Sequence, residues 1–471
     1  MRLTDSNQQD IPLNIVGSST FGIYPKISVE KTYNMFITDN WLTTMPGYSM
    51  IQAIGSFGRG VFFSSRANLL FLIVDDKLYS VDINNQVTFL NQISTFIGPI
   101  WMAENERQEI GISDGLNVYV YNYVTQVMQL SFTPPGPGLD FLPGYLAYQT
   151  GSFVVAANGT PTWRLSDPQN PNQFPSILTG SFEYGDEVQA VVPMPGAANV
   201  ILIMGKIVSQ YFTNYGLQLF PYRENTNQSI NYGTINPATV ATGDDIVVWL
   251  AGNSTSSPVI MYTKGGPPQT ISSDGINNLL ETLKHLQTAY GFIFKVQGHL
   301  FYVLTSPRDN VSLMYDFTTE KFFHLSDQNQ NYYIARQMAY FNGTHYFISN
   351  SDGTLYELNQ KYQDLNGSPQ QQIRTCKAFF LPDGSNFIAN RINFTVEQGD
   401  INTVQRIDLT LSYDGGQSFG NPISYNMNNY ANRRNRLDFW SLGYANYLIP
   451  QFRFWGDGRF LATDGFMTVQ S

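Results

Sequence analysis

The sequence predicts an all-β protein: a β-propeller of about seven blades, with six as the alternative count, followed by a C-terminal β-sandwich. Three observations carry this. Strand-length apolar runs alternate with turn residues along almost the whole chain. Within the first three quarters they recur with a period of roughly 40 to 54 residues. The composition is that of a turn-rich sheet protein, with aromatics at 14 %, charged residues at only 13 % and 39 glycines.

Residues 1–50 are read as an N-terminal segment that packs on or closes the propeller, and 51–365 as the propeller itself. The local pattern is clearest in 60–93, where GVFFSS, LLFLIVDD, KLYSVDIN and QVTFLNQI are separated by Ser-Arg-Ala-Asn, Asp-Asp and Asn-Asn turns. Four such runs make one antiparallel meander. The inner strands of the successive units are read as LLFLIV (69–74), EIGIS (109–113), FVVAA (153–157), VILIM (200–204), IVVWL (246–250), LFYVL (300–304) and HYFIS (345–349). The next strand often carries a tyrosine, as at Tyr79, Tyr119 and Tyr356. A four-stranded unit at this period marks a propeller, and the absence of Gly-His and Trp-Asp dipeptides at the expected places separates it from WD40 repeats.

One stretch departs from the pattern. Ile276, Leu279, Leu280, Leu283 and Leu286 follow helical spacing, so a helix is expected near 274–290 between two blades, with Asp274 as N-cap. QDLNGSPQQQ (363–372) reads as a linker. Beyond it, 373–471 holds INFTVEQ, RIDLTLSYD, RLDFWSLG, LIPQFRFWG and FMTVQ, five strand-like runs that suffice for a β-sandwich.

Composition and motifs exclude more than they assign. A net charge of −10 argues against a nucleic-acid grip, which needs a basic footprint. The single cysteine, Cys376, rules out an internal disulfide and a cysteine-based zinc site, and reads as a small buried hydrophobe. MRLTDSNQQD lacks the apolar stretch of a signal peptide, and the longest apolar runs are strand-length, so no membrane span is expected. His285, His299, His324 and His345 show no metal-ligand spacing, and no nucleophile elbow, phosphate loop or dinucleotide fingerprint occurs. No catalytic, cofactor-binding or metal-binding residue is assigned. Arg433, Arg434 and Arg436 form the one basic cluster, read as a solvated turn, or alternatively as a surface for an acidic partner.

One motif resembles catalytic company. LSYDGGQSFG (411–420) contains Ser412, Asp414, Gly416, Ser418 and Phe419 in the order of the Asp box found in sialidases and other propeller glycosidases. Its chemistry is that of a turn: the carboxylate accepts backbone amides while glycines take positive φ. It occurs once and outside the repeats, so it reads as a hairpin. A sialidase-like site would also need three converging arginines, and Arg59, Arg107, Arg164, Arg223 and Arg308 are scattered over several blades.

Several stretches together are more specific: EKTYNMFITDNWLTTMPGY (30–48), SFGRGVFF (56–63), TWRLSDPQNPNQF (162–174), MGKIVSQYFTNYG (204–216), NYGTINPATVATGDDIVVWLAG (231–252), GHLFYVLTSPRDNVSLMYDFTTEKFFHLSD (298–327), LSYDGGQSFG and ANRRNRLDFWSLG (431–443). In this order they resemble, over essentially the whole chain, the packaged-DNA stabilisation proteins of short-tailed bacteriophages, which form the tail nozzle. The family's Asp-Gly-Gly-x-Thr-Trp stands here as Asp414-Gly415-Gly416-Gln417-Ser418-Phe419. The resemblance implies a non-enzymatic virion protein without cofactors, made in the host cytoplasm and placed in the tail. It implies a ring, expected to hold six copies, below the portal and adaptor. It further implies contacts with tail fibre, tailspike or needle proteins, and double-stranded DNA that passes through without sequence-specific binding. The rival readings are a glycosidase acting on host surface glycans and a receptor-binding tail protein.

Overall fold

The computed structural model describes residues 8–21, 29–182, 185–217, 219–398, 405–427, 433–456 and 458–470. Among them, seven antiparallel sheets follow one another around a common axis, over 58–92, 101–130, 143–181, 190–230, 233–270, 290–324 and 335–358. These are blades 1 to 7. The first strand of each blade faces its counterparts across the axis, and blade 7 packs back on blade 1 through Ala335–Phe341 against Gly58–Ser64. Blade 7 takes its fourth strand from early in the chain: Tyr48–Ala53 pairs antiparallel with Thr354–Leu358, so the ring is closed by hydrogen bonds between distant segments.

The seven motifs read as inner strands are the second strand of each blade, one step out from the axis. The reason is burial. A second strand lies between two neighbouring blades and is covered on both faces, so Ile246–Gly252 is buried along its whole length and reads as an unbroken apolar run. The axis-lining strands border a cavity and tolerate Arg59, Pro143, Gly291 and Arg336, which hides them in the sequence. Each blade–blade contact has its own apolar core. Phe71, Ile110 and Tyr121 join blades 1 and 2, and Trp163, Ile201 and Phe212 join 3 and 4. Val61, Ile348 and Leu355 join 1 and 7.

The helix is shorter than its apolar spacing predicts. It spans Asp274–Thr282, and its N-cap is Ser273, whose hydroxyl accepts from the Ile276 amide; Asp274 is the first helical residue. Leu283 closes it, and Leu286 lies in a separate single turn at Leu286–Thr288. Ile276 and Leu280 are buried in the core between blades 5 and 6.

The stretch expected as a linker is also structured. Asp364–Leu365 and Ser368–Pro369 form a hairpin on the edge of blade 7, with Leu365 beside Tyr48. Its turn is Asn366-Gly367, at φ 54° and 81°. That pair is the commonest two-residue hairpin signal, because both positions need positive φ.

The sandwich draws strands from both ends of the chain. One sheet runs in the order Met35–Thr38, Trp41–Thr44, Phe460–Gln470, Phe387–Gln398, Arg434–Ala445, and Gln8–Leu13 also pairs with Phe460–Gln470. The other continues directly from blade 6. Lys31–Tyr33 meets Lys321–His324 in parallel at Tyr33–His324, then pairs antiparallel with Gln372–Thr375. Ile449–Trp455, Gln405–Ser412 and Ile423–Met427 follow, giving nine strands in one sheet. The apolar core between the two sheets merges with that of blades 6 and 7. Arg374 anchors the joint: it is fully buried and donates to Ile15 O, Ser18 O, Asn14 O and Thr32 Oγ1, and to Glu30 at 2.5 Å.

Candidate functional site

The Asp-box residues form a compact surface turn between Gln405–Ser412 and Ile423–Met427. Asp414 Oδ1 accepts from the Gln417 and Ser418 amides, both at 3.0 Å, and from Ser412 Oγ at 2.7 Å. Its Oδ2 accepts from Ser418 Oγ at 2.5 Å. The Ser412 hydroxyl in turn accepts from Gly416 N at 2.8 Å. The Ser418 hydroxyl and then its amide hold the Asp414 carboxyl well below the usual carboxylate range. Gly416 has φ 86°, and a Cβ there would press into Val29. Asp414 and Ser418 are exposed while Phe419 is half-buried. The turn ties a hairpin together, and its carboxylate is already occupied by its own loop.

The scattered arginines stay scattered. Arg59 is buried on the first strand of blade 1 and directs all its donors to Gly98 O, Asp75 O, Thr95 O, Thr95 Oγ1 and Ile97 O. Arg107 bonds Gln169 O at the turn facing blade 3. Arg164 pairs with Asp140 at 3.1 Å. Arg223 lies exposed on the outermost strand of blade 4, and Arg308 on a turn of blade 6. No three of these converge.

His299 and His324 serve the core, while His285 and His345 are partly exposed. His299 Nδ1 sits 2.8 Å from Asp316 Oδ2, both buried, and Asp316 also accepts from Thr318 N and Thr319 Oγ1. His285 Nδ1 lies 2.9 Å from Asp309. Burial pushes the Asp309 carboxyl up, but hydrogen bonds from Ser306 and His285 outweigh it and leave the value at about 2. His324 stacks on Tyr33 at 4.6 Å, and burial, with Lys31 nearby, drives it down to about 3. His345 is likewise lowered to about 4 by burial. Burial pushes the Cys376 thiol up to about 12, far from a nucleophile. Among the described residues no three His, Cys, Asp or Glu side chains come together in a way that could hold a metal ion.

What the structure does assemble is a surface. Along Phe387–Gln398 and Arg434–Ala445 the outward positions face each other in register: Ile388 with Tyr444, Arg391 with Trp440, Asn393 with Asp438, Thr395 with Arg436, Glu397 with Arg434. The Arg391 guanidinium lies 5.1 Å over the Trp440 ring. Trp440 is 59 % exposed, Tyr444 66 % and Phe466, on the adjoining strand, 48 %. Arg434 and Arg436 therefore belong to a strand and not to a turn; loose ion pairs link them to Glu397 at 3.8 Å and Asp438 at 3.5 Å. The signal was present in the sequence, because Arg434, Arg436, Asp438 and Trp440 alternate with the buried Leu437 and Phe439. Arg434–Ala445 ends its sheet, so this face adjoins an open strand edge. Charge is unevenly divided as well. Residues 45–372 hold 14 basic and 24 acidic side chains, the remainder 12 and 12, so the whole net charge lies on the propeller and its hairpin.

A family model described as "Bacteriophage P22 Gp10, beta-propeller" matches residues 24–363. The chain belongs to this family. Membership supports a phage structural tail protein over a catalytic one, and the match includes both the seven blades and the strands that lead into them. No curated protein matches the chain. Among solved structures it is similar to virginiamycin B lyase from Staphylococcus aureus, at 10 % identity and TM-score 0.46, over 66 % of this chain and 98 % of that one. It is also similar to the N-terminal domain of Nup159, at 10 % identity and TM-score 0.43, over 70 % and 99 %. The WD40 propeller domain of Doa1 matches at 11 % identity and TM-score 0.43, over 67 % and 97 %.

Proposed function

We propose that the protein is a non-enzymatic subunit of a phage tail ring, six copies seated below the portal and adaptor, which retains packaged DNA and conducts it at ejection. The observation that carries this reading is the outward face of the sandwich. Exposed Trp and Tyr beside arginines are the residue types that dominate association energies, and here they sit on a neutral body attached to an acidic one. Such a molecule associates head to tail, sandwich face to the propeller flank of the next copy, and a heterologous contact of that kind closes into a ring. Identical chains of charge −10 repel one another in solution, so the ring forms on the portal–adaptor template and the free protein is monomeric. DNA passes a bore rich in Asp, Glu, Asn and Gln, where few cations bind phosphate. Tail fibre, tailspike or needle proteins dock on the completed ring. The glycosidase reading lacks its arginine cluster.

The test compares the wild type with Trp440→Ala/Tyr444→Ala. Sedimentation should show a monomer for both, with equal melting temperatures, while only the wild type adds to purified portal–adaptor particles. Equal addition by the double variant, or a stable ring without the template, would overturn the assembly. Turnover of sialosides or lipopolysaccharide by the purified chain would favour the enzyme.

A further inference from the structure

The propeller axis encloses a cavity of about 270 Å³, bordered by the first strands of six of the seven blades. It is far larger than the ~15 Å³ that one water requires. Two guanidinium groups border it, Arg59 and Arg336, and no carboxylate does, although this propeller is the strongly acidic part of the chain. Arg59 is saturated by carbonyls and Thr95; burial brings it down to about 10 against the pull of nearby Asp114, with Arg336 adding a smaller repulsion. Arg336 differs. Its guanidinium lies 4.2 Å over the Tyr290 ring and makes no hydrogen bond or ion pair with any described residue. Burial lowers its pKa too.

One further donor, the Gln337 amide, borders the same space, and the Tyr290 ring forms part of its wall. Gln337 gives its Oε1 to Val61 N at 3.0 Å, which leaves its NH2 group uncommitted. Arg336 is half-buried, and a cation in the wall of such a cavity loses solvation that no counter-charge here restores. Water can satisfy the amide, but it supplies no charge. The set wants an acceptor that is also negative.

We propose that the axial cavity is a binding site for a small oxyanion, a phosphate or a carboxylate group, held by Arg336 on the Tyr290 ring with the Gln337 amide donating to it. A second cavity, of about 420 Å³, opens at one face of the propeller and shares Pro99, Ala238, Tyr290 and Arg336 with the first. Its lining adds Arg308 and contains no carboxylate, so it provides a cationic approach to the site. The site is too small for a nucleic-acid duplex, and it does not depend on the assembly proposed above.

The test is calorimetric titration of the full-length protein at fixed ionic strength with inorganic phosphate in one arm and acetate in the other. Saturable binding of at least one is expected, and the tighter arm identifies the group. R336Q should weaken it at least tenfold, R336K should retain part of it, and Q337E, which keeps the acceptor for Val61 N but replaces the donor with a negative charge, should weaken it at least tenfold. W440A should leave it unchanged. Failure of both anions to saturate, or equal affinity in R336Q, would overturn the site. If R336Q does not fold, Q337E decides, and an unaltered affinity there sinks the proposal.

Discussion

Consider Arg374→Met. The substitution keeps an unbranched apolar stem and removes five hydrogen bonds together with the charge opposite Glu30. Arg374 is fully enclosed, and a Cβ on Gly17 would lie 1.9 Å from its guanidinium, so the segment around 14–18 is moulded on this group. Removing one member of a buried ion pair costs about 3–5 kcal/mol. Hydrogen bonds involving a charged group carry about 1.5–3 kcal/mol each, but water entering the vacated space recovers part of that, so about 3–5 kcal/mol is the expected loss. It should be local. Hydrogen exchange would accelerate at residues 15–19 and 32–34 while the amides of blades 2 to 4 stay protected, and urea unfolding of the sandwich would shift to lower concentration. Glu30→Gln in the same background should add less than it costs alone, since the two sites share one contact. A loss under 1 kcal/mol with unchanged exchange, or strict additivity with Glu30→Gln, would refute the claim that Arg374 holds the N-terminal segment in place.

Three shorter predictions follow from other residues. In the unfolded chain His324 takes up a proton below about pH 6.5, whereas in the fold it resists until about 3. Stability should therefore fall with acidification across that window, by up to ~1.4 kcal/mol per pH unit from this residue, and His324→Phe should flatten a melting-temperature profile there. Asp414→Ala should loosen the 412–419 turn, seen as faster exchange of the Gln417 and Ser418 amides; unchanged exchange would show that the glycines alone set the turn. Because the fold keeps Asp414 ionised far below the usual range, its contribution is present at neutral pH and lost only in strong acid. Gly367→Ala forces an alanine to φ 81° and should cost about 1–2 kcal/mol, measurable as an earlier urea transition; no change would mean the hairpin re-forms with another turn.

Much of the architecture could be read before any coordinates, for a physical reason. Second strands such as Ile246–Gly252 are covered on both faces, so selection for apolar side chains at every position leaves a dense, periodic signal. The axis-lining strands leave a weaker one, since Arg336 and Tyr290 line a cavity bordered by six separate blades. The Asn366-Gly367 hairpin was legible as a turn but obscured by the Gly, Pro and Gln around it. What a single strand could not disclose was partnership across the chain. Lys31–Tyr33 is three residues long and becomes a strand only between Lys321–His324 and Gln372–Thr375. The outward Arg434–Trp440 alternation lay in plain view, but its meaning required knowing that Leu437 and Phe439 point into a core.

The pairing of Gln8–Leu13 with Phe460–Gln470, and of Tyr48–Ala53 with Thr354–Leu358, sets a timetable for synthesis. The first strands to leave the ribosome have no partners until the last ones do. Blades 1 to 6 can stack as they emerge, each against the one before it, while Gln8–Leu13 and Tyr48–Ala53 wait unpaired. Waiting strands of that kind pair with whatever edge is nearest, including those of other nascent chains. Slow, late closure follows from contacts this distant in sequence, and the protein's yield should depend on how long its N-terminal segment is kept from competing partners, more than on the strength of any one blade.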